Sequence, residues 1–375
     1  MRQVPTNCVK FGTLLAQDIY NEKGSVLLKK GVELTASLII KIENNGIHTI
    51  FIDDGYSDKI IEEIIRPEVK QKAVQAIKET FSSISKLNKK SLNNEDLHFR
   101  KKLELKSMEK YINSLKSISE RIIDELTNNH TLMINLVDIK NIDNYTYEHS
   151  LNVAILATIM GIEIKLTRNE LYKLFMGALL HDIGKAFVPS DIVTKQGTLT
   201  AEEAEHMMAH PQLGYDYLKE SYGLDATSKI VALQHHEKTD GTGYPMHAHG
   251  NQIHKFARIV ALADVYDGMT SDTSYSKAMA PNEAIEYIMA TAGRHFDFDL
   301  ATIFVRKIIP YPEGSIINLS NGKMGIVDSV IADYPLRPTV KIFEKNVPVE
   351  KFKTVDLMHS TNLTITGIHY EDPNE

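Results

Sequence analysis

The chain has one cysteine, Cys8, among 375 residues, which excludes an intramolecular disulfide and any cysteine-based metal cluster. Cys8 reads as a small apolar residue packed in the interior of a protein from a reducing compartment. An excess of basic charge is also missing: 42 Lys and Arg stand against 49 Asp and Glu, a formal net charge of -7. No DNA or RNA partner is expected, because such binding needs a basic face that displaces counterions from phosphates. A small anionic ligand is not excluded, since bound metal ions reverse charge locally. No apolar run approaches the roughly 20 residues of a membrane span, and Met1-Arg2-Gln3-Val4-Pro5 opens no run of signal-peptide length. No membrane span and a cytoplasmic location are expected.

What is present is an ordinary globular composition, 43% hydrophobic and 24% charged, in a chain longer than one core usually organises. Residues 1–66 read as a small α+β accessory module. Asn21-Glu22-Lys23-Gly24 resembles a turn between strands, Thr35 is placed to cap a short helix ending near Asn45-Gly46, and His48 to Ile52 is strand-like. In 67–140, apolar residues such as Ile112, Leu115, Ile118, Ile122 and Leu126 recur at threes and fours, with a polar stretch from Leu87 to Asn94. Two helices follow as a linker or stalk, either packed on the downstream domain or paired with a second copy as a homodimer. Residues 141–311 carry helical patterns and few strands, and nine of the fifteen His fall between 149 and 254. Residues 312–375 alternate apolar and polar around an Asn321-Gly322 turn, a small β-rich extension. The expected fold is mainly α.

Chemistry concentrates in the helical segment. Leu171, Leu174, Phe175, Ala178 and Leu179 sit at helical spacing and Asp182 continues their face, so His181 and Asp182 are delivered toward the interior, with Gly184 as the helix stop. A buried carboxylate is costly unless a cation or several donors satisfy it, and metal coordination does so. The construction recurs at Asp264, the polar member of a stripe with Ala257, Val260, Ala261 and Gly268, and at Ala226 to His236, an apolar stretch ending in His235-His236. His149 stands before the apolar run Leu151 to Met160. His206 and His210, at i and i+4 in a helix begun near Thr200, can both face one ion; Pro211 and Gly214 mark a special backbone approach and favour His210. His247, His249 and His254 follow a loop and read as solvated. Imidazole with carboxylate suits divalent transition metals.

Set in order, these residues resemble the HD-GYP domain family of metal-dependent phosphohydrolases. The resemblance covers about 140–310: Tyr145-Thr146-Tyr147-Glu148-His149-Ser150, His181-Asp182-Ile183-Gly184-Lys185, His210-Pro211, His235-His236-Glu237 leading into Asp240-Gly241-Thr242-Gly243-Tyr244-Pro245, and Ala263-Asp264-Val265-Tyr266-Asp267-Gly268. It implies an all-helical catalytic domain that hydrolyses a cyclic dinucleotide, chiefly cyclic di-GMP, to the linear dinucleotide pGpG or onward to GMP. It makes His149, His181, His210, His235, His236 and Asp264 ligands of two divalent ions, iron or manganese, with Asp182 bridging them and helping to position or deprotonate the attacking water. Lys185 would set a cation beside the scissile phosphate. The loop adds substrate contacts: Asp240, Gly241 and Gly243 for close backbone approach, and Tyr244 to stack on a base or donate to phosphate.

Two departures bear on that picture. Many members of the family have a Glu tied to a third metal four residues before the first His, where this chain has Tyr145; two ions, not three, are expected. After Asp272, where the family often reads Arg-Pro-Tyr-Arg or Arg-Pro-Tyr-Lys, this chain reads Thr273-Ser274-Tyr275-Ser276, and only Lys277 stands in for the basic clamp. The alternative is therefore a catalytically weak sensor or interaction module that binds a cyclic dinucleotide without useful turnover.

Overall fold

A threonine ahead of a periodic apolar stretch can accept an orphan amide at a helix start, and short alternating runs on either side of it pair as strands. The computed structural model describes residues 1–20, 26–45, 47, 49–57, 65–90, 97–128, 145–221, 223–271, 278–331, 333–345 and 347–373. Strands β1 (Arg2–Pro5), β2 (Leu14–Leu15), β3 (Ile19–Tyr20) and β4 (Val26–Leu28) precede helix α1 (Ala36–Asn44) and strand β5 (Thr49–Asp53). β5 lies between β1 and β2, antiparallel to both, and β3 pairs with β4. Thr35 caps α1, its hydroxyl accepting Leu38 N at 3.4 Å. Val4, Leu15, Leu34, Ile42, Ile50 and Ile52 close a small core of their own. The turn expected at 21–24 lies outside the described residues, as do Gly46 and His48. Cys8 is half-buried rather than packed away.

The next two helices, α2 (Pro67–Lys90) and α3 (Leu97–Asn128), turn one apolar face inward, as the spacing of threes and fours requires. Val69, Ala73, Ile77 and Phe81 of α2 and Ile112, Leu115, Ile122 and Leu126 of α3 join the same hydrophobic cluster as α4 (Tyr145–Glu163) and α5 (Arg168–Leu179). Of the two expectations for this pair, packing within the chain is the one observed. α2 continues through Leu87 to Lys90 before the described residues break off.

α4 is the central rod. Every residue from Leu151 to Met160 is buried, which suits a helix surrounded by others. It begins at Tyr145, so His149 lies inside the helix and not ahead of it as the apolar run suggested; the first turn is extended by Thr146, Tyr147 and Glu148, with Glu148 an acidic group at the helix start. α5 starts with a capping box in which Thr167 and Glu170 satisfy each other's backbone amides. After it come α6 (Ser190–Val193), α7 (Ala201–Met208), α8 (His210–Leu218), α9 (Ala226–Gln234), α10 (Lys255–Met269), α11 (Pro281–Thr291) and α12 (Phe298–Lys307). The single helix expected to carry both His206 and His210 is two: α7, capped by Thr200 with Glu203, and α8, which His210 begins. Pro211 accounts for the break, since a missing amide is tolerated only in a first turn.

Gly184 is not a helix stop. It sits in a 3-10 turn, Ile183–Phe187, where a Cβ would collide with the His210 carbonyl oxygen and come within 2.7 Å of Gly214 N. Gly184 and Gly214 thus let the backbone after Asp182 touch the backbone after His210.

Beyond α12 the chain forms a five-stranded antiparallel sheet in the order β10-β6-β7-β8-β9, from β6 (Ile316–Leu319), β7 (Met324–Ser329), β8 (Thr339–Ile342), β9 (Thr354–Asp356) and β10 (Ile365–Ile368). Gly322, at φ 77°, makes the expected β6–β7 turn. The first strand is fastened to this end of the chain. Arg2, 4% exposed, pairs with Asp54 at 2.5 Å and donates to the carbonyls of His369, Tyr370 and Glu371. The architecture is mainly α with a small sheet at either end. Gly184→Ala is expected to cost about 1–3 kcal/mol through overpacking, and more if the two turns separate; thermal unfolding read by circular dichroism measures it.

Candidate metal centre

Four imidazoles of the centre, those of His149, His181, His210 and His235, are held from behind. His181 Nδ1 lies 2.6 Å from Ala178 O, His210 Nδ1 2.7 Å from Met207 O, and His235 Nδ1 2.9 Å from Ala232 O. A carbonyl can only accept, so these Nδ1 atoms carry the protons and the three Nε2 atoms present lone pairs to the interior. His149 is set the same way by a carboxylate, Nδ1 to Asp267 Oδ2 at 2.6 Å.

The inward-facing atoms converge. His149 Nε2 stands 3.1 Å from Asp264 Oδ1 and 3.7 Å from Asp182 Oδ2; His181 Nε2 is 3.4 Å from Asp182 Oδ2 and 3.8 Å from Asp264 Oδ1. On the other side, His210 Nε2 and His235 Nε2 lie 3.3 and 3.8 Å from Asp182 Oδ1, and His236 Nδ1 is 3.7 Å from Asp264 Oδ2. Among the described residues, three overlapping groups have ligand atoms within 4.8 Å of one another: Asp182 with His210, His235 and His236; Asp182 with His149 and His181; and Asp264 with His181 and His235. Asp182 belongs to two of them.

These donors fit a divalent metal, and they do so on three counts. His210 Nε2 and His235 Nε2 face each other at 3.1 Å, two lone pairs whose repulsion a cation between them would reverse. His181 Nε2 and Asp182 Oδ1 are buried with no hydrogen-bond partner, a state that costs free energy unless something accepts those lone pairs. His181 and Asp182 are 0% and 1% exposed, so bulk solvent does not reach these lone pairs.

The electrostatics agree. Burial and the neighbouring imidazoles His236, His181 and His210 push His235 well below its ordinary pKa, and burial brings His236 down to about 3. Both are held neutral, the form that ligates. Burial works against ionising Asp182, but Lys185, His181 and His210 outweigh it and hold the carboxyl well below the usual range; Asp264 is likewise depressed, by His149 and His236. His149 is the exception: burial would lower it, yet its hydrogen bonds to Asp264 and Asp267 raise it to about 9, so in the absence of a cation this ring is protonated and a metal would have to displace its proton.

All seven ligand candidates from the sequence are brought together. His206 is exposed on α7 and takes no part, and His247 and His249 are exposed, while His254 Nδ1 caps α10 by accepting Phe256 N at 3.1 Å. Lys185 Nζ lies 2.5 Å from Asp182 Oδ2. Tyr244 stacks on His236, ring centroids 4.8 Å apart and planes at 27°. Asp240 serves its own turn, accepting Thr242 N at 3.0 Å and Thr242 Oγ1 at 2.6 Å, and Gly241 carries φ 78°. Thr273, Ser276 and Lys277 lie outside the described residues, and Tyr145 opens α4. Sequence reasoning missed Asp267, although its signal was present: it follows Asp264 by one helical turn and shares its face.

A helical protein built round a buried histidine–aspartate cluster that could hold metal is the class that this fold and site define. Residues 122–300 match the family described as HD domain. Over 228 residues it is 37% identical to a cyclic di-GMP phosphodiesterase of Pseudomonas aeruginosa, covering 60% of this chain and 55% of that protein. A 3'3'-cGAMP-specific phosphodiesterase of Vibrio cholerae is 38% identical over 127 residues, 34% of this chain and 24% of that protein. A cyclic di-GMP phosphodiesterase of Thermotoga maritima is 28% identical over 285 residues, 74% of this chain and 75% of that one. The chain thus spans about half the length of the Pseudomonas relative and less of the Vibrio one.

Because Asp267 orients the His149 ring, Asp267→Asn is expected to weaken metal retention by about tenfold or more while leaving the circular dichroism spectrum unchanged. Competition against a chelator of known affinity gives the number.

Proposed function

We propose that the protein is a phosphodiesterase that opens cyclic di-GMP, or a related cyclic dinucleotide, to the linear dinucleotide or onward to GMP with two divalent ions, iron or manganese. The observation that carries this reading is the position of Asp182, shared between two donor groups and paired with Lys185. The relatives named for cyclic di-GMP and for 3'3'-cGAMP support the substrate class. Absence of any helix long and apolar enough to cross a membrane, among the described residues, is compatible with work in the cytoplasm.

In this reading His149, His181, His210, His235, His236 and Asp264 are ligands and Asp182 bridges. Tyr145, where relatives of the family carry a metal-associated Glu, supports two ions over three. A divalent pair in such a cage supplies Lewis acidity toward water and phosphate and offsets charge on the attacking and leaving oxygens. The protein's own groups do the rest. Lys185, with 26% of its side chain exposed, places a cation where the phosphodiester's charge would lie. Asp182, kept ionised by its cationic and imidazole neighbours, orients the attacking water and can take its proton. Tyr244 stays protonated, since burial together with Asp264 and Asp182 raises its pKa, so its hydroxyl can donate to a phosphate oxygen. Gly241 and Gly243 let the loop backbone approach the ligand, Asp240 holds their turn, and Lys277 contributes the remaining basic contact.

The test uses the full chain purified without oxygen, loaded with ferrous or manganous ion, and offered cyclic di-GMP, cyclic di-AMP and 3'3'-cGAMP. Linear product is expected from at least one. Chelation should abolish it and the metal restore it, and Asp182→Ala should lower kcat by about 10³-fold or more. Tight binding with the nucleotide recovered intact would identify the sensor instead, a reading favoured by the loss of the basic pair at Thr273 and Ser276.

A further inference from the structure

The doublet His235-His236 is flanked by two buried side chains that the chemistry above does not use. Glu237, 3% exposed, accepts Met246 N at 2.6 Å through Oε1 and Ala248 N at 3.0 Å through Oε2. Gln234, 5% exposed, accepts His254 N at 2.8 Å and donates to Gln252 O at 3.3 Å. Both therefore reach across to the loop that follows the doublet. The near limb of that loop rests on the doublet itself: Tyr244 N donates to His236 O at 3.2 Å and the Tyr244 ring covers the His236 ring. Gly243 allows this, because a Cβ there would collide with Lys238 N and lie 2.5 Å from His236 O.

A carboxylate is costly to bury, and here two amides in the loop satisfy it. Both bonds exist only while the loop is folded back. Loop and helix end are thus one unit, with the carboxylate as the fastening.

The geometry points to Glu237 as a positioning residue: its carboxylate clamps the 240–248 loop onto His235-His236, so that Tyr244 holds the His236 ring in place and forms the wall that a dinucleotide meets. The clamp stands on geometry alone, whereas its effect on a dinucleotide rests on the phosphodiesterase reading above. A glutamine at 237 keeps one oxygen but turns an NH2 group toward the second amide, replacing a hydrogen bond by two opposed donors.

The experiment compares the full-length wild type with Glu237→Gln by three measurements. Amide hydrogen exchange, without metal and with manganese, should quicken about tenfold or more around Met246 and Ala248 while α4 and α5 keep their protection. Manganese retention against a chelator should fall about tenfold as His236 loses its support. KM for cyclic di-GMP should rise about tenfold with a smaller change in kcat, the split expected of a displaced binding wall. Unchanged exchange at Met246 and Ala248 overturns the clamp; faster exchange with unaltered manganese retention and KM overturns its link to the site. If Glu237→Gln loses protection throughout, Tyr244→Leu decides. It keeps the carboxylate and its amides, so the loop stays protected, and it should weaken manganese retention and raise KM; no change in either overturns the inference. A wild type that leaves cyclic di-GMP intact sinks the phosphodiesterase reading, and exchange and manganese retention still decide the clamp.

Discussion

Lone pairs packed in a nearly dry interior govern this structure. Asp182, His181, His210 and His235 are all within 1% of complete burial, and each points an acceptor atom into one shared volume. Without a cation the arrangement is costly, and with one it becomes the strongest local interaction. The surrounding construction follows. Each Nδ1 is committed to a carbonyl or a carboxylate, which leaves a single ring orientation for each His. Gly184 and Gly214 remove the side chains that would keep two of the ligand-bearing turns apart.

The all-round apolar α4 and the α2–α3 pair serve that same volume. Phe81 of α2 meets Tyr147 of α4 edge-on at 5.7 Å, two residues before His149. What reads locally as a spacer is therefore part of the wall behind His149, and the small sheet at the start of the chain precedes α2 of that wall. Any displacement of α2 would be felt where His149 is mounted.

Much of this was legible in the sequence because the ligand set is short-range in kind: His181 with Asp182 and His235 with His236 are neighbours, and each ends an apolar stretch whose period shows its inner face. Thr35, Thr167 and Thr200 are equally readable, since a cap and its helix lie within four residues. Where the structure differs, each difference has its own physical reason. His149 was set ahead of its helix because the apolar run starts after it, whereas helix starts are decided by capping and by exposed polar residues. His210 was joined to His206 because i and i+4 spacing was weighed above Pro211. Glu237 is not legible because its partners, 9 and 11 residues on, lie across a loop that has no local periodicity, whereas Asp267, whose partner is 118 residues away, shows only its one-turn spacing from Asp264. Gly184 was given a conformational reason when its reason is contact.

The fastening of Arg2 joins two sheets that lie far apart in the chain. Its guanidinium is paired with Asp54, and three more of its acceptors are the carbonyls of residues 369 to 371. One side chain on β1 thus serves the segment after β10 as well, so a substitution there takes a donor from three carbonyls more than 360 residues away, and a fault in one sheet is registered beside the other.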